Sequence, residues 1–232
     1  MRYLCRRAVH SPVIDGRLDK PFWASAEWTA DFVDILGDAG PRPRLRTRAK
    51  LLWDDEYLYV GADMEEPDVW ATLTERDAIV FHDNDFEVFL DPDDDRQDYL
   101  EIEVNALGTI FDLRLERPYR DGGPAHHDWD CDGLLVAVHV AGTLNDPRDS
   151  DEGWSVELAI PFAAVAPYSR VPCPPRPGDA WRLNFSRVQW STVIEDGCTR
   201  KLPDTPEDNW VWTPMGLVDM HLPERWGWLD FA

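Results

Sequence analysis

The sequence predicts an all-β protein, an antiparallel β-sandwich of two packed sheets formed by a single domain over residues 1–232. Three observations carry that expectation. About ten segments alternate apolar and polar residues with the period of two that marks a half-buried strand. They recur every dozen or so residues, separated by clusters of Asp, Gly and Pro. No segment keeps a 3.6-residue apolar period over the length of a helix, so helices cannot supply the second layer of the core.

In chain order, Ile14–Trp23 (IDGRLDKPFW) pairs a turn at Asp15-Gly16 with an apolar end, Phe22 and Trp23, expected to cap one end of the core. Arg44, Arg46 and Arg48 alternate with Leu45, Thr47 and Ala49, and Leu51-Leu52-Trp53 follow, which reads as a strand with a solvated basic edge rather than an anion site. Tyr57–Asp63 is its partner. Residues 65–83 form a long connection with one helical turn expected near Trp70–Glu75.

The segment from Asn84 to Asn105 (NDFEVFLDPDDDRQDYLEIEVN) is the centre of the pattern. Phe86, Val88 and Leu90 share one face and Glu87, Phe89 and Asp91 the other. Leu100, Ile102 and Val104 alternate in the same way with Glu101, Glu103 and Asn105. An acidic turn joins the two arms, so they form a hairpin whose apolar rows lie on a core. Its other surface carries Glu87, Phe89, Glu101, Glu103 and Asn105, and carboxylates, an amide and a ring on one face suit a polyol.

Thr109–Leu115 follows as a third strand after the turn at Ala106-Leu107-Gly108, and the aperiodic residues 119–132 read as a loop. Leu134–Val140 and Trp154–Ile160 are strands, the second ended by Pro161; Phe162–Val165 makes one short helical turn. The Pro-rich residues 171–179 are a rigid connector, and Trp181–Trp190, Trp210–Pro214 and Trp226–Phe231 are the remaining extended segments.

The formal charge of -22 speaks against a nucleic-acid partner, which would require clustered Lys and Arg. Twelve tryptophans divide between core and flat-ligand platforms. The four cysteines, Cys5, Cys131, Cys173 and Cys198, form no C-x-x-C pair and read as scattered free thiols. With no apolar run of signal-peptide or membrane-span length, the chain as written is expected to be cytoplasmic, with no membrane partner, or secreted if its true start lies upstream.

The ordered set IDGRLDKPFW, LLWDDEYLYV, NDFEVFLDPDDD, YLEIEVNALGTIFD, GWSVELAIPF, GDAWRLNFSRV, WTP and HLPERWGWLDF resembles the family-9 carbohydrate-binding modules, in particular their single-domain, family-9-like relatives. That resemblance implies a β-sandwich with a slot in which two aromatic walls hold a terminal sugar while polar side chains grip its hydroxyls. One wall falls on Phe81, where the family has Trp, and the other on Trp212. The smaller face of Phe81 makes Trp70 and Trp190 candidates to compensate. Glu87 and Glu101 take the hydroxyl-binding positions, with Asn105 and Arg187 as further transfers. The function implied is non-catalytic binding of a glycan or sugar terminus.

Two other functions compete. A glycoside-processing enzyme would use paired Glu87, Glu101 and Glu103, whereas a protein-interaction β-sandwich would use the same aromatic and acidic face. No cofactor is expected. Asp91, Asp93, Asp94 and Asp95 offer calcium ligands, as the related modules often carry, but lack the spaced D-x-D-x-D-G loop, so a solvated turn is the favoured reading. His126 and His127 are adjacent and would diverge, and His139 and Met220 are faint as haem ligands.

Overall fold

The computed structural model describes all 232 residues. Its first strands are β1 (Arg2–Arg7), β2 (Val33–Asp34), β3 (Thr47–Trp53) and β4 (Tyr57–Glu65), followed by the hairpin β5 (Asp85–Asp91) and β6 (Tyr99–Asn105), then β7 (Ile110–Leu115) and the short β8 (Ala125–His126). The second half contributes β9 (Leu135–Ala141), β10 (Gly153–Pro161), the single helical turn α1 (Phe162–Val165), β11 (Ala180–Gln189), the hairpin β12 (Thr192–Glu195) and β13 (Cys198–Lys201), β14 (Asp208–Val211) and β15 (Gly227–Phe231).

Two layers result. One sheet runs β8-β7-β6-β5-β11-β15-β1, with β14 alongside the second half of β11 and β2 beyond it. The other runs β1-β3-β4-β10-β9. β1 belongs to both: Arg2–Cys5 pair in parallel with β15, and Arg6–Arg7 in parallel with β3. It is the longest of the strands the sequence reading missed, with β2, β8, β12 and β13, because only Tyr3 and Cys5 mark its buried face.

The core lies between the layers and is built from the rows the alternation identifies. Phe86, Val88 and Leu90 of β5, Leu100, Ile102 and Val104 of β6, and Leu183 and Phe185 of β11 face Leu51, Val60, Val156 and Leu158 of the second sheet. Each such side chain removed from water contributes about 1.5–3 kcal/mol, which makes the register of these strands strongly specified.

Two local expectations are corrected. Phe22 and Trp23 do not cap the end of the core; they pack with Leu52, Tyr59 and Ala159 on the outer face of the second sheet. No helical turn forms at 70–75, because the buried Asp83 carboxylate accepts hydrogen bonds from the backbone N–H groups of Thr72 and Leu73 and holds that stretch extended. The turn forms instead at Val80–His82.

Candidate functional site

Strand pairing lays out the floor of the site on the outer face of the first sheet. Ser186, Glu87, Glu103 and Phe111 stand in one cross-strand row, and Asn184, Phe89, Glu101 and Leu113 in the next. The hairpin therefore brings together the carboxylates its alternation placed on one face, and β7 adds apolar side chains to that face. This surface is largely withdrawn from solvent. Glu87 and Glu101 are 5% exposed and Glu103 is 2% exposed, because other segments rise around the floor. Ile35, the turn carrying Ile79 and Phe81, the loop carrying Tyr119 and His127, and residues of 207–209 and 218–221 enclose a cavity of about 410 Å³. That size lies in the range of small-ligand pockets, about 300–1,000 Å³.

The walls are apolar and aromatic: Phe81, Phe89, Phe111 and Tyr119, with Leu113, Val188 and Met220 between them. His127 leans on Phe111 at 5.3 Å between ring centroids, and His221 meets Tyr119 edge-on at 4.6 Å. Tyr99 lies 3.1 Å by its hydroxyl from Nδ1 of His221. Burial pushes His221 down to about 4, leaving it neutral, and pushes the Tyr119 hydroxyl up to about 12.

The floor is electrostatically unusual. Asp85, Glu87 and Glu103 bring one carboxylate oxygen each within 4.8 Å of one another. Glu87 and Glu103 stand directly opposite across β5 and β6, a position where like charges repel. Burial pushes Glu87 up to about 7, with the Ser186 hydroxyl opposing. Asp85, Glu101 and Glu103 lie well above the usual carboxylate range, first through burial and then through repulsion by one another and by Glu87. The Phe81 backbone N–H donates to Glu103 at 3.1 Å, and the Val188 N–H to Oδ1 of Asp85 at 3.2 Å. Oδ2 of Asp85 has no partner.

Of the six residues drawn from the sequence, the structure brings three to this cavity: Phe81, Glu87 and Glu101. The other three lie elsewhere. Trp212 points inward with Trp210, 6.0 Å between centroids from Phe185, and its ring fills the space a Cβ on Gly227 would need. Parity explains this, since Val211 is the residue of that segment facing outward. Arg187 shares the inward face of β11, where it donates to Glu66 at 2.8 Å and to Thr47 at 3.0 Å. Asn105 has its capacity consumed within the protein: its amide nitrogen donates to Leu73 and Asp83, and its oxygen accepts from the N–H groups of Leu107 and Thr109. Trp70 is buried, and Trp190 reaches only the carbonyl of Phe81, at 2.9 Å.

Tyr119, His127, Asp219, Met220 and His221 were not singled out for this site by sequence reasoning. They sit on segments without periodicity, where no pattern reports which way a side chain points. The aromatic and histidine residues in those loops were the available signal.

At the hairpin turn, Asp91, Asp93 and Asp95 also bring one oxygen each within 4.8 Å, and Oδ1 of Asp91 and of Asp93 is buried without a partner. Burial pushes Asp91 up to about 7. Oxygen donors with unused lone pairs fit a hard cation such as calcium, although Arg170 already pairs with Asp95 at 2.7 Å. His126 is engaged with Glu116 at 2.8 Å and His139 approaches Arg17 at 3.3 Å.

Residues 14–173 match the family model described as carbohydrate family 9 binding domain-like. Among curated proteins, the chain is 33% identical over 157 residues to endo-1,4-beta-xylanase A of Thermoanaerobacterium saccharolyticum and 32% identical over 155 residues to exoglucanase XynX of Acetivibrio thermocellus. Those matches take in 68% and 67% of the chain but only 11% and 12% of the relatives' own length. Among solved structures, a family 9 carbohydrate-binding module from Caldicellulosiruptor kristjanssonii in complex with cellotriose superposes with a TM-score of 0.65 at 18% identity, covering 100% of this chain and 94% of that one. A Bacteroides uniformis protein described as carbohydrate-binding superposes with a TM-score of 0.73, also at 18% identity, covering 100% and 99%.

Proposed function

The chain belongs to the carbohydrate family 9 binding domain-like family, and we propose that it binds a carbohydrate, without turning it over, in the cavity above β5, β6 and β7. The observation that carries this reading is the pairing of flat apolar surface with carboxyl groups on one enclosed floor. A pyranose has a face of C–H groups, which Phe81, Phe89, Phe111 and Tyr119 can cover, and a rim of hydroxyls, which Glu87, Glu101 and Glu103 can accept from. The solved relative bound to cellotriose supports a β-1,4-glucan as the first ligand to test.

Binding rather than cleavage fits the placement of the acids. A glycosidase needs carboxyl groups on both sides of the scissile bond, about 5–5.5 Å or 6.5–9.5 Å apart. Here the acids rise from the adjacent strands β5 and β6 of one floor, three of them within 4.8 Å.

Titration calorimetry with cellotriose, glucose and xylo-oligosaccharides tests the reading, together with a reducing-sugar assay on the same glycans. Saturable binding without product is expected, and Glu101→Gln should weaken it; binding that ignores this substitution would place the site elsewhere. The reading needs no cofactor. If structural calcium is present, Asp91, Asp93 and Asp95 would hold it, and a melting temperature lowered by EDTA and restored by calcium would assign it there.

A further inference from the structure

The deeply buried carboxylates of this protein are satisfied in different ways, Asp83 and Asp91 by backbone N–H groups of Thr72, Leu73 and Arg96, others by a cation. Glu157 has Lys20 at 2.6 Å, Glu66 has Arg187 at 2.8 Å and Asp112 has Arg76 at 2.7 Å. Asp85, Glu87, Glu101 and Glu103, equally buried, have no cation: the only influences on them are burial, one another, Asp83, a backbone N–H or the Ser186 hydroxyl. No lysine or arginine lines the cavity above them, and Glu207 and Asp219 add further negative charge at its walls. Nearby cations are engaged elsewhere, Arg120 with Glu224 and Lys201 against the Trp190 ring at 3.7 Å. Oδ2 of Asp85, on a residue 0% exposed, stands unpartnered within the cluster.

We propose, building on the carbohydrate reading above, that the sugar held in this cavity is an amino sugar, its ammonium seated on Glu87 and Glu103 with Asp85 behind them. A neutral sugar brings hydroxyl donors but no charge, so it leaves like charges stacked on the floor or requires them to hold protons. An ammonium brings three donors and the missing positive charge in one group, and a buried carboxylate gains most from a partner of that kind. Phe111 stands in the cross-strand row of Glu87 and Glu103, and Phe81 and Phe89 line the same cavity. These rings present negative faces that favour a cation and cover the C–H face of the ring that carries it. The same floor rejects a sugar acid by repulsion.

Three trisaccharides with the same β-1,4 backbone separate the possibilities: fully deacetylated chitotriose, its N-acetylated form and cellotriose, titrated in EDTA at a pH where the amine is protonated. The deacetylated trimer should bind about tenfold or more tightly than the other two, and Glu87→Gln and Glu103→Gln should remove that preference, weakening the amine by about tenfold and cellotriose by distinctly less, because a Gln amide still accepts from a hydroxyl but no longer carries the charge that holds an ammonium. Cellotriose binding as tightly as the amine overturns the inference and leaves the carbohydrate site standing. Failure of all three, and of other neutral glycans, removes the site itself. If both Gln variants keep the amine preference, the attraction belongs to the acidic surface as a whole and the inference falls. It falls as well if calcium alone raises the melting temperature and Glu87→Gln abolishes that rise, because the missing cation is then a metal.

Discussion

A carboxylate lies buried at the middle of each outer face of the sandwich, and the two faces treat it in opposite ways. On the second sheet, Glu157 of β10 accepts from Lys20 Nζ at 2.6 Å, from Trp23 Nε1 at 2.7 Å and from the backbone N–H groups of Asp15 and Gly16 at 2.9 Å each. The donors come from the 14–23 segment, which it fastens to the sheet. Gly16 is required there, with φ of 82° and the backbone of Val138 and His139 lying 2.5 Å from where a Cβ would be. On the first sheet, Glu87, Glu101 and Glu103 face a cavity with few donors and no cation. Burial alone therefore does not mark a functional acid; the number of donors the protein itself supplies does.

The sharpest way to break this comparison is Glu157→Ala. It should cost about 3–5 kcal/mol in denaturant unfolding, since it leaves the Trp23 indole N–H and the Asp15 and Gly16 backbone N–H groups without their acceptor and takes one of two carboxylates from the partly buried Lys20, which keeps Asp15 at 2.8 Å, while carbohydrate affinity stays unchanged. A cost under about 1 kcal/mol would erase the distinction between the faces.

The second effect has the opposite sign. Glu87 and Asp91 lie near 7, above their ordinary values of 4.5 and 3.8. A carboxyl raised in the folded state keeps its proton longer than the unfolded chain does, so stability is fully present below about pH 4 and falls as pH rises through 7. Each of the two should take roughly 2–3 kcal/mol of stability between about pH 5 and pH 8, about 5 kcal/mol together. Glu87→Gln should flatten that slope and raise the melting temperature at the upper end, the reverse of what Glu157→Ala does.

Smaller still is Phe81→Ala at the half-exposed rim. It should weaken carbohydrate binding by about 1 kcal/mol, near fivefold, and change stability by less than about 0.5 kcal/mol. The smallest is Asp63→Asn on the other face. Its carboxylate bridges Arg46 and Arg48 at 3.4 and 3.1 Å in partial exposure to solvent, so the change should stay within about 0.5 kcal/mol and leave binding untouched.

The strand alternation made most of this legible. The rows of the 84–105 hairpin, their faces and the presence of Glu87, Phe89, Glu101 and Glu103 on one surface follow from period two alone, and strand pairing turned those rows into a floor. Trp212 and Arg187 were placed by motif position, but their direction is set by parity on β14 and β11, which turns both inward. Asn105 lies at the end of the correct row, and its role was decided by a turn whose hydrogen bonds no alternation reports. The walls and the covering of the floor come from loops that carry no period, so the enclosed cavity was not visible.

The shared strand β1 has a consequence for kinetics. Residues 2–5 pair with residues 228–231, and β15 sits between β11 and β1 in the interior of its sheet. Closing that ladder joins the two extremities of the sequence, the costliest loop the chain can form in entropy. Refolding after dilution from denaturant should be slow, with the β1–β15 amides among the last to gain exchange protection. A chain shortened before Gly227 would leave β1 and β11 as open edges, inviting strand-to-strand aggregation rather than a slightly trimmed native state.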